Sequence, residues 1–407
     1  MTDQGFDNRE IERRRSRRRL TILAVAIGAA LVVLILALIN GDNDGIGTPY
    51  STISPDSSAA GRIQGLYELI FWMAAVVFIG VQALIVYTAL RFKRRPNVTE
   101  RPPQVHGNRT LEIAWTIIPA LILLVILIPT IQTMYETDAE AQEGDVIIDV
   151  YGKQWWWEVH YEGLADDGGP LVTANELVLP VGQEVIVRLH SNNVIHSFWV
   201  PQLAGKMDVI PGHENRLSFT PENTGDYYGE CAEFCGISHA WMRFEIDVVE
   251  QQQFDAWVTA WNTPPAFDAN PATTDIMEPP AAFGLCITCH AINGATPPDI
   301  VQEGLMANPF SVNAGPNLTL LGCRDILAAG LLVNTPENLA TWLDNPAEVK
   351  EGNYMSLAVE ADTLSQEQID ELVMYLESLK PEGGCPEDAS PASASPVAEQ
   401  GSEAEDA

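Results

Sequence analysis

The stretch of this 407-residue chain richest in reactive side chains is "GECAEFCGISHAWM". It sets Cys231, Cys235, His239 and Met242 at intervals of four, four and three residues. His196 stands upstream in "VIHSFWVP". Two thiolates, two imidazoles and a thioether are soft donors, and soft donors select copper over hard cations. Two bridging thiolates could hold a pair of copper ions, one histidine on each. Met242 and the main-chain carbonyl of Glu233 would then be weak outer ligands. One electron shared over two metals needs little reorganisation, which suits rapid transfer rather than bond chemistry. Two plainer readings stay open at this point. Cys231 and Cys235 form a structural disulfide in an oxidising compartment, or they bind zinc with His196 and His239. Neither uses Met242. A mononuclear blue-copper centre needs one cysteine, so the second thiolate counts against it.

A second reactive string is "LCITCHAI", which contains C-x-x-C-H, the attachment signal of a c-type haem. Cys286 and Cys289 would form the thioethers, and His290 would supply an axial nitrogen. A thioredoxin-like pair would need a βαβ setting, which this region lacks. A haem that only transfers electrons needs a second axial ligand. Met355 in "KEGNYMSLAV" is the first choice, on a Gly-containing loop, and Met306 is its competitor. Met374 has helical spacing with Leu372 and Leu376 and reads as core. The Pro316 carbonyl of "AGPNL" is placed to orient the His290 ring. Cys323 and Cys385 have no nearby histidine, and a disulfide between them is one open possibility.

Two further features carry candidate chemistry. Trp155, Trp156 and Trp157 are consecutive, and alternation along a strand sends them to opposite faces. At least one is therefore core, and another is free to meet solvent or a partner, where it could admit electrons. Glu112 stands at the start of an apolar run. It reads either as an interfacial carboxylate that favours a helix N-terminus or as a proton-entry group.

The elements that position these residues follow from hydropathy and charge. Apolar runs at 20–39, 66–90 and 113–134 are long enough to cross a bilayer. Basic clusters flank them at "RRRSRRR" and "RFKRR". The positive-inside rule puts those clusters in the cytoplasm and everything past residue 135 outside. Residues 1–134 carry a net charge of +4 and residues 135–407 a net of −37. The overall charge of −33 argues against a nucleic-acid partner, which demands a basic face. The first run is either an export signal or a retained helix. Residues 145–255 contain short β-rich strings separated by turn residues, such as "DVIIDVYG", "EVIVRLHS" and "MRFEIDVVE", and predict an all-β sandwich or Greek-key barrel. A Pro-rich linker spans 262–280. Residues 281–380 form a helical domain, with Ser365 as a helix N-cap. Residues 381–407 are an acidic, Ala/Ser/Pro-rich tail expected to be disordered.

These strings, in this order, resemble subunit II of the haem-copper cytochrome c oxidases, in the variant with a fused C-terminal cytochrome c domain. "CAEFCGISHAWM", "IHSFWVPQLAGKMDVIPG", "GKQWWWEVHY" and "EIAWTIIPA" carry the resemblance for the membrane and β portions. "GPNL" and "NTPENLATWLDNP" carry it for the haem portion. The resemblance covers most of residues 50–380. It implies a multidomain membrane protein: a transmembrane hairpin at 60–136 after a basic leader at 1–45, an all-β cupredoxin-like Greek-key sandwich, and an all-α class I cytochrome c domain. It implies His196, Cys231, Glu233, Cys235, His239 and Met242 as ligands of a dinuclear copper centre, CuA. The Glu233 side chain would reach a magnesium or manganese ion shared with subunit I. Trp155 would be the electron-entry residue and Glu112 the entrance of a proton channel. Subunits I and III and the lipid bilayer are the implied partners. The donor would be a cytochrome c, a small blue-copper protein or a quinol-oxidising complex. The location implied is a bacterial plasma membrane, with the soluble domains on its outer face. Ser356 stands where a proline usually follows the axial methionine, which counts against Met355. The runner-up is a CuA subunit of a nitric or nitrous oxide reductase.

Overall fold

The structure, a computed structural model, describes residues 51–93, 107–138, 140–263, 279–287, 289–292, 315–381 and 384–386. The apolar run at 20–39, most of the linker, Met306 and the tail past 386 lie outside the described residues.

Two long helices come first, α1 (Ser58–Arg91) and α2 (Arg109–Glu136). Each starts on a side chain that accepts from otherwise unpaired amides. Ser57 accepts from Ala60 N, and Asn108 accepts from Thr110 N and Leu111 N. At a rise of 1.5 Å per residue both exceed the roughly 30 Å apolar core of a bilayer. Their most apolar stretches are wholly uncovered by the rest of the chain. Lipid or partner subunits must cover them.

The β-domain is built from ten strands: β1 (Val146–Lys153), β2 (Trp156–Tyr161), β3 (Leu171–Ala174), β4 (Glu176–Pro180), β5 (Val185–Ser191), β6 (His196–Trp199), β7 (Met207–Val209), β8 (Asn215–Phe219), β9 (Gly225–Cys231) and β10 (Arg243–Val249). They form two five-stranded sheets, ordered β3-β2-β1-β5-β8 and β4-β10-β9-β6-β7. β1 runs parallel to β5 and β4 parallel to β10, while the other pairs are antiparallel. Such crossovers belong to a cupredoxin-like sandwich, not a simple meander. Between the sheets Trp157 meets Phe198 and Phe244 edge-on, both at 5.5 Å between ring centres. Each such ring pair adds about 0.5–1.5 kcal/mol beyond area burial. Helix α3 (Gln251–Asn262) follows β10 and buries Phe254, Trp257 and Trp261.

The C-terminal segment contains α4 (Phe283–Cys286), a short ladder of β11 (Ile326–Leu327) with β12 (Leu332–Val333), α5 (Pro336–Asp344), α6 (Pro346–Val349) and α7 (Gln366–Glu377). It is thus helical with one two-stranded ladder among its described residues, where the sequence suggests helices alone. Ser365 caps α7 in a capping box with Gln368, as its spacing predicts. Phe283, Ile292, Leu339, Leu343, Leu372 and Tyr375 belong to its core. Met374 does not; it is 52% exposed, because the core stripe of α7 runs through Ile369, Leu372, Val373, Tyr375 and Leu376. Cys323 and Cys385 form a disulfide.

The three tryptophans are all buried. β2 starts at Trp156, so Trp155 lies just outside it. Trp157 faces the sandwich interior. Trp156 faces the other way and packs with Ala174 and Ala329, the latter from the C-terminal segment. The surface that alternation leaves to a partner is covered from within the same chain.

Candidate functional site

The end of β9, the start of β6 and the loop before β10 meet at one point. Cys231 Sγ lies 3.8 Å from Cys235 Sγ, 3.9 Å from His196 Nδ1 and 3.3 Å from the Glu233 carbonyl oxygen. Cys235 Sγ lies 3.6 Å from His239 Nδ1 and 3.8 Å from Met242 Sδ. A metal–sulfur bond of about 2.3 Å in tetrahedral geometry sets neighbouring donors roughly 3.7 Å apart. The observed spacing is that of donors around metal rather than of a disulfide, and the His/Cys cluster is consistent with a CuA-like site. The Cys231 thiol is pulled far below its ordinary range, first by its contact with Cys235 and then by His196, against the cost of burial. The same contact, together with burial, pushes Cys235 up.

The strands explain this convergence. His196 opens β6, and that strand pairs with β9 through Phe198 and Cys231. Cys231 N donates to Met242 O at 3.0 Å, which closes the ligand loop at its base. His196 is fully buried, and its Nε2 meets Asn193 Oδ1 at 3.0 Å. Its ring lies against Gly152, where a Cβ would come within 2.8 Å of Cδ2. The Glu233 side chain points outward and is exposed. Phe234 beside it is 75% exposed and packs edge-on to His239 at 5.7 Å.

Trp155 joins the cluster from the opposite side. Its Nε1–H donates to the Cys235 carbonyl at 3.1 Å, and Gln154 Nε2 donates to the same oxygen at 2.7 Å. Trp155 also lines a cavity of about 330 Å³, shared with Cys286, Cys289, His290, Pro316 and Met355. Ligand cavities usually span about 300–1,000 Å³. His290 Nδ1–H donates to the Pro316 carbonyl at 2.7 Å, as "AGPNL" suggests. Burial pulls the His290 pKa down, with the Pro316 bond opposing. Gly315 leaves room for that ring; a Cβ there would stand 2.4 Å from His290 Cε1.

Glu112 is not brought to the cluster. It lies exposed in the first turn of α2, while the far end of that helix meets the β-domain. The separation along the helix is about 36 Å. The structure adds two residues that sequence spacing does not single out, Asn193 and Lys350. Asn193 lies three residues before His196, a spacing with no metal signature. Lys350 Nζ donates to the Trp155 carbonyl at 2.7 Å across 195 residues, a contact no local pattern encodes.

Comparison with known proteins agrees with this geometry. Residues 50–133 match the family described as cytochrome C oxidase subunit II, transmembrane domain, and residues 164–249 match that described as its periplasmic domain. The chain is 36% identical over 313 residues to cytochrome c oxidase subunit 2 of Alkalihalophilus pseudofirmus, covering 75% of this chain and 84% of that one. Against cytochrome c oxidase subunit 2 of Bacillus subtilis it is 30% identical over 370 residues, covering 86% and 98%. The solved periplasmic domain of subunit II of the cytochrome oxidase of Bradyrhizobium japonicum is 34% identical. It covers 30% of this chain and 95% of that one, with a TM-score of 0.27.

Proposed function

Because the chain belongs to the cytochrome c oxidase subunit II family, we propose that it carries both a dinuclear copper centre and a covalent haem c, and through them takes electrons from an external donor. Its membership of an oxidase complex, its multi-pass membrane placement with an outer-face soluble domain, and its general role of feeding electrons to subunit I follow from the family itself. Reduction of oxygen to water and proton translocation belong to the partner subunit.

The observation that carries the copper reading is the convergence of four further donors on one pair of cysteine sulfurs. We assign His196, Cys231, Glu233 through its carbonyl, Cys235, His239 and Met242 as the ligands. A copper pair held there supplies one-electron relay with little reorganisation. Asn193 fixes the His196 ring so that Nδ1 faces the Cys231 sulfur. The exposed Glu233 carboxylate would offer an oxygen donor to a magnesium or manganese ion shared with subunit I.

The cavity supports the haem reading. Cys286 and Cys289 would hold the haem through thioethers, and His290 and Met355 would ligate its iron. A haem held there supplies a second one-electron relay. The Pro316 carbonyl occupies Nδ1 of His290 and leaves Nε2 as the donor. Trp155, touching the cluster on one side and the cavity on the other, is assigned the electron-entry role. Glu112 is assigned to proton entry at the cytoplasmic start of α2. The donor is a cytochrome c, a small blue-copper protein or a quinol-oxidising complex. Subunit III completes the assembly.

Two measurements on the purified complex test this. A near-infrared band with two-copper hyperfine lines in the electron paramagnetic resonance spectrum is expected, and is lost in Cys235→Ser. A haem stain that stays with this chain after denaturing electrophoresis is expected. Absence of the band sinks the copper assignment, and absence of the stain sinks the haem assignment.

A further inference from the structure

We infer that Tyr354 is the electronic bridge between the haem cavity and the copper-binding cluster, and that the strap 350–357 exists to seat its ring on Trp155. The inference rests on the haem reading above and names a residue which that reading leaves unassigned.

Tyr354 stacks on Trp155, with ring centres 5.7 Å apart and planes 14° from parallel. Trp155 in turn donates to the carbonyl of the copper ligand Cys235. The Tyr354 hydroxyl donates to Gln154 Oε1 at 3.4 Å, and the Gln154 amide reaches the same Cys235 carbonyl. Tyr354 packs against the core of the β-domain, whereas the next residue, Met355, packs against the core of the C-terminal segment. From the proposed axial ligand to Cys235 the path is therefore covalent from Met355 to Tyr354. It then crosses one ring-to-ring gap and one hydrogen bond.

The strap is fastened on both sides of that ring. Lys350 is buried, and its Nζ donates to the carbonyls of Trp155 and Ala328 at 2.7 and 3.0 Å. Ser238 Oγ donates to the Glu351 carbonyl. Gly352 sits against Ile237, where a Cβ would come within 2.2 Å of Cγ2, so a larger residue would push the strap outward. Asn353 donates to the Pro346 and Lys350 carbonyls, both at 2.6 Å, and accepts from Ser356 N at 3.0 Å. Two other contacts between the two parts, Ile326 N to Glu176 Oε1 and Arg243 N to Ala329 O, are backbone-donor bonds that involve no ring. In the transfer, one electron leaves the reduced haem and one reaches the oxidised copper pair. No bond forms or breaks and no proton moves.

The test uses the purified oxidase complex with Tyr354→Leu, which keeps apolar bulk and removes the ring. Haem-to-copper transfer after rapid photoreduction is expected to slow by at least about tenfold. The haem and near-infrared spectra, and amide exchange protection over 350–357, are expected to match the wild type. Tyr354→Phe is expected to rescue the rate. A Leu variant as fast as the wild type overturns the inference. So does a slow Leu variant whose strap has lost its exchange protection, since the loss is then one of docking. If the wild-type chain shows no covalent haem on a denaturing gel, the haem reading itself falls and takes this inference with it.

Discussion

His196 and His290 share one arrangement at opposite ring nitrogens. In each, one nitrogen is tied to an oxygen, Asn193 Oδ1 or the Pro316 carbonyl, and the other is the nitrogen that the function proposed above assigns to metal. Each ring also lies on a glycine, Gly152 or Gly315, that could not carry a Cβ without displacing it. The tie fixes ring orientation before metal arrives, which lowers the ordering cost of binding. Asn193→Ala is therefore expected to weaken copper binding by about 10–100-fold while the β-domain stays folded. Chelator competition on the full chain measures the first and circular dichroism the second. Asn193 accepts from its own neighbour Val194 N as well, so its loss also loosens the turn into β6.

At the scale of elements, β4, β9 and β10 present an acidic face where the C-terminal segment docks. Glu176, Glu245, Asp247 and Asp226 from the sheet lie near Asp325, with Arg324 as the cation among them. Burial raises every one of these carboxyls, Glu245 and Asp325 to about 7 and Glu176 and Asp247 well above the ordinary range. Burial pulls Arg324 down, and Glu176 opposes that shift. The unfolded chain ionises these acids near pH 4, whereas the folded chain holds their protons to near neutrality. Between those limits the folded state binds more protons, so stability falls as pH rises. Lys350, pulled down to about 7 by burial, acts above that window and in the opposite sense. Thermal unfolding of the full chain is expected at a lower temperature at pH 7 than at pH 5. Asp325→Asn should flatten the difference; an unchanged slope would count against the acidic face as its source.

The same elements show how far the sequence can be read. The apolar runs gave α1 and α2, and the Ser365–Gln368 spacing gave the start of α7. The C-x₃-C-x₃-H-x₂-M string placed four donors on one loop. Spacing alone cannot reveal that β6 pairs with β9, and that pairing is what brings His196 to Cys231. Alternation around Trp155–Trp157 assigns the faces but not what covers Trp156, because Ala329 lies 173 residues downstream.

For the molecule as a whole, the Cys323–Cys385 disulfide closes a span of 62 residues that contains Met355 and Tyr354. Cross-links of this reach typically contribute about 2–4 kcal/mol. Cys323→Ser with Cys385→Ser is expected to lower the stability of the C-terminal segment by that amount. Urea unfolding of the variant, compared with wild type under oxidising conditions, reads it.

The hairpin is moored to the sandwich at both ends that emerge from the bilayer. Ahead of α1, Asp56 N bonds the Gln202 carbonyl at 2.8 Å and Tyr227 donates to Asp56 Oδ2 at 2.7 Å. Beyond α2, Asp138 pairs with Arg216 at 2.6 Å, and Arg62 joins α1 to Glu136 at 3.2 Å. With two moorings, the outer domain cannot swivel freely on its stalk. A thinner or thicker membrane that leans the helices must lean the domain with them. Lipid thickness thereby becomes a mechanical input to the height and angle at which the sulfur pair rides above the membrane.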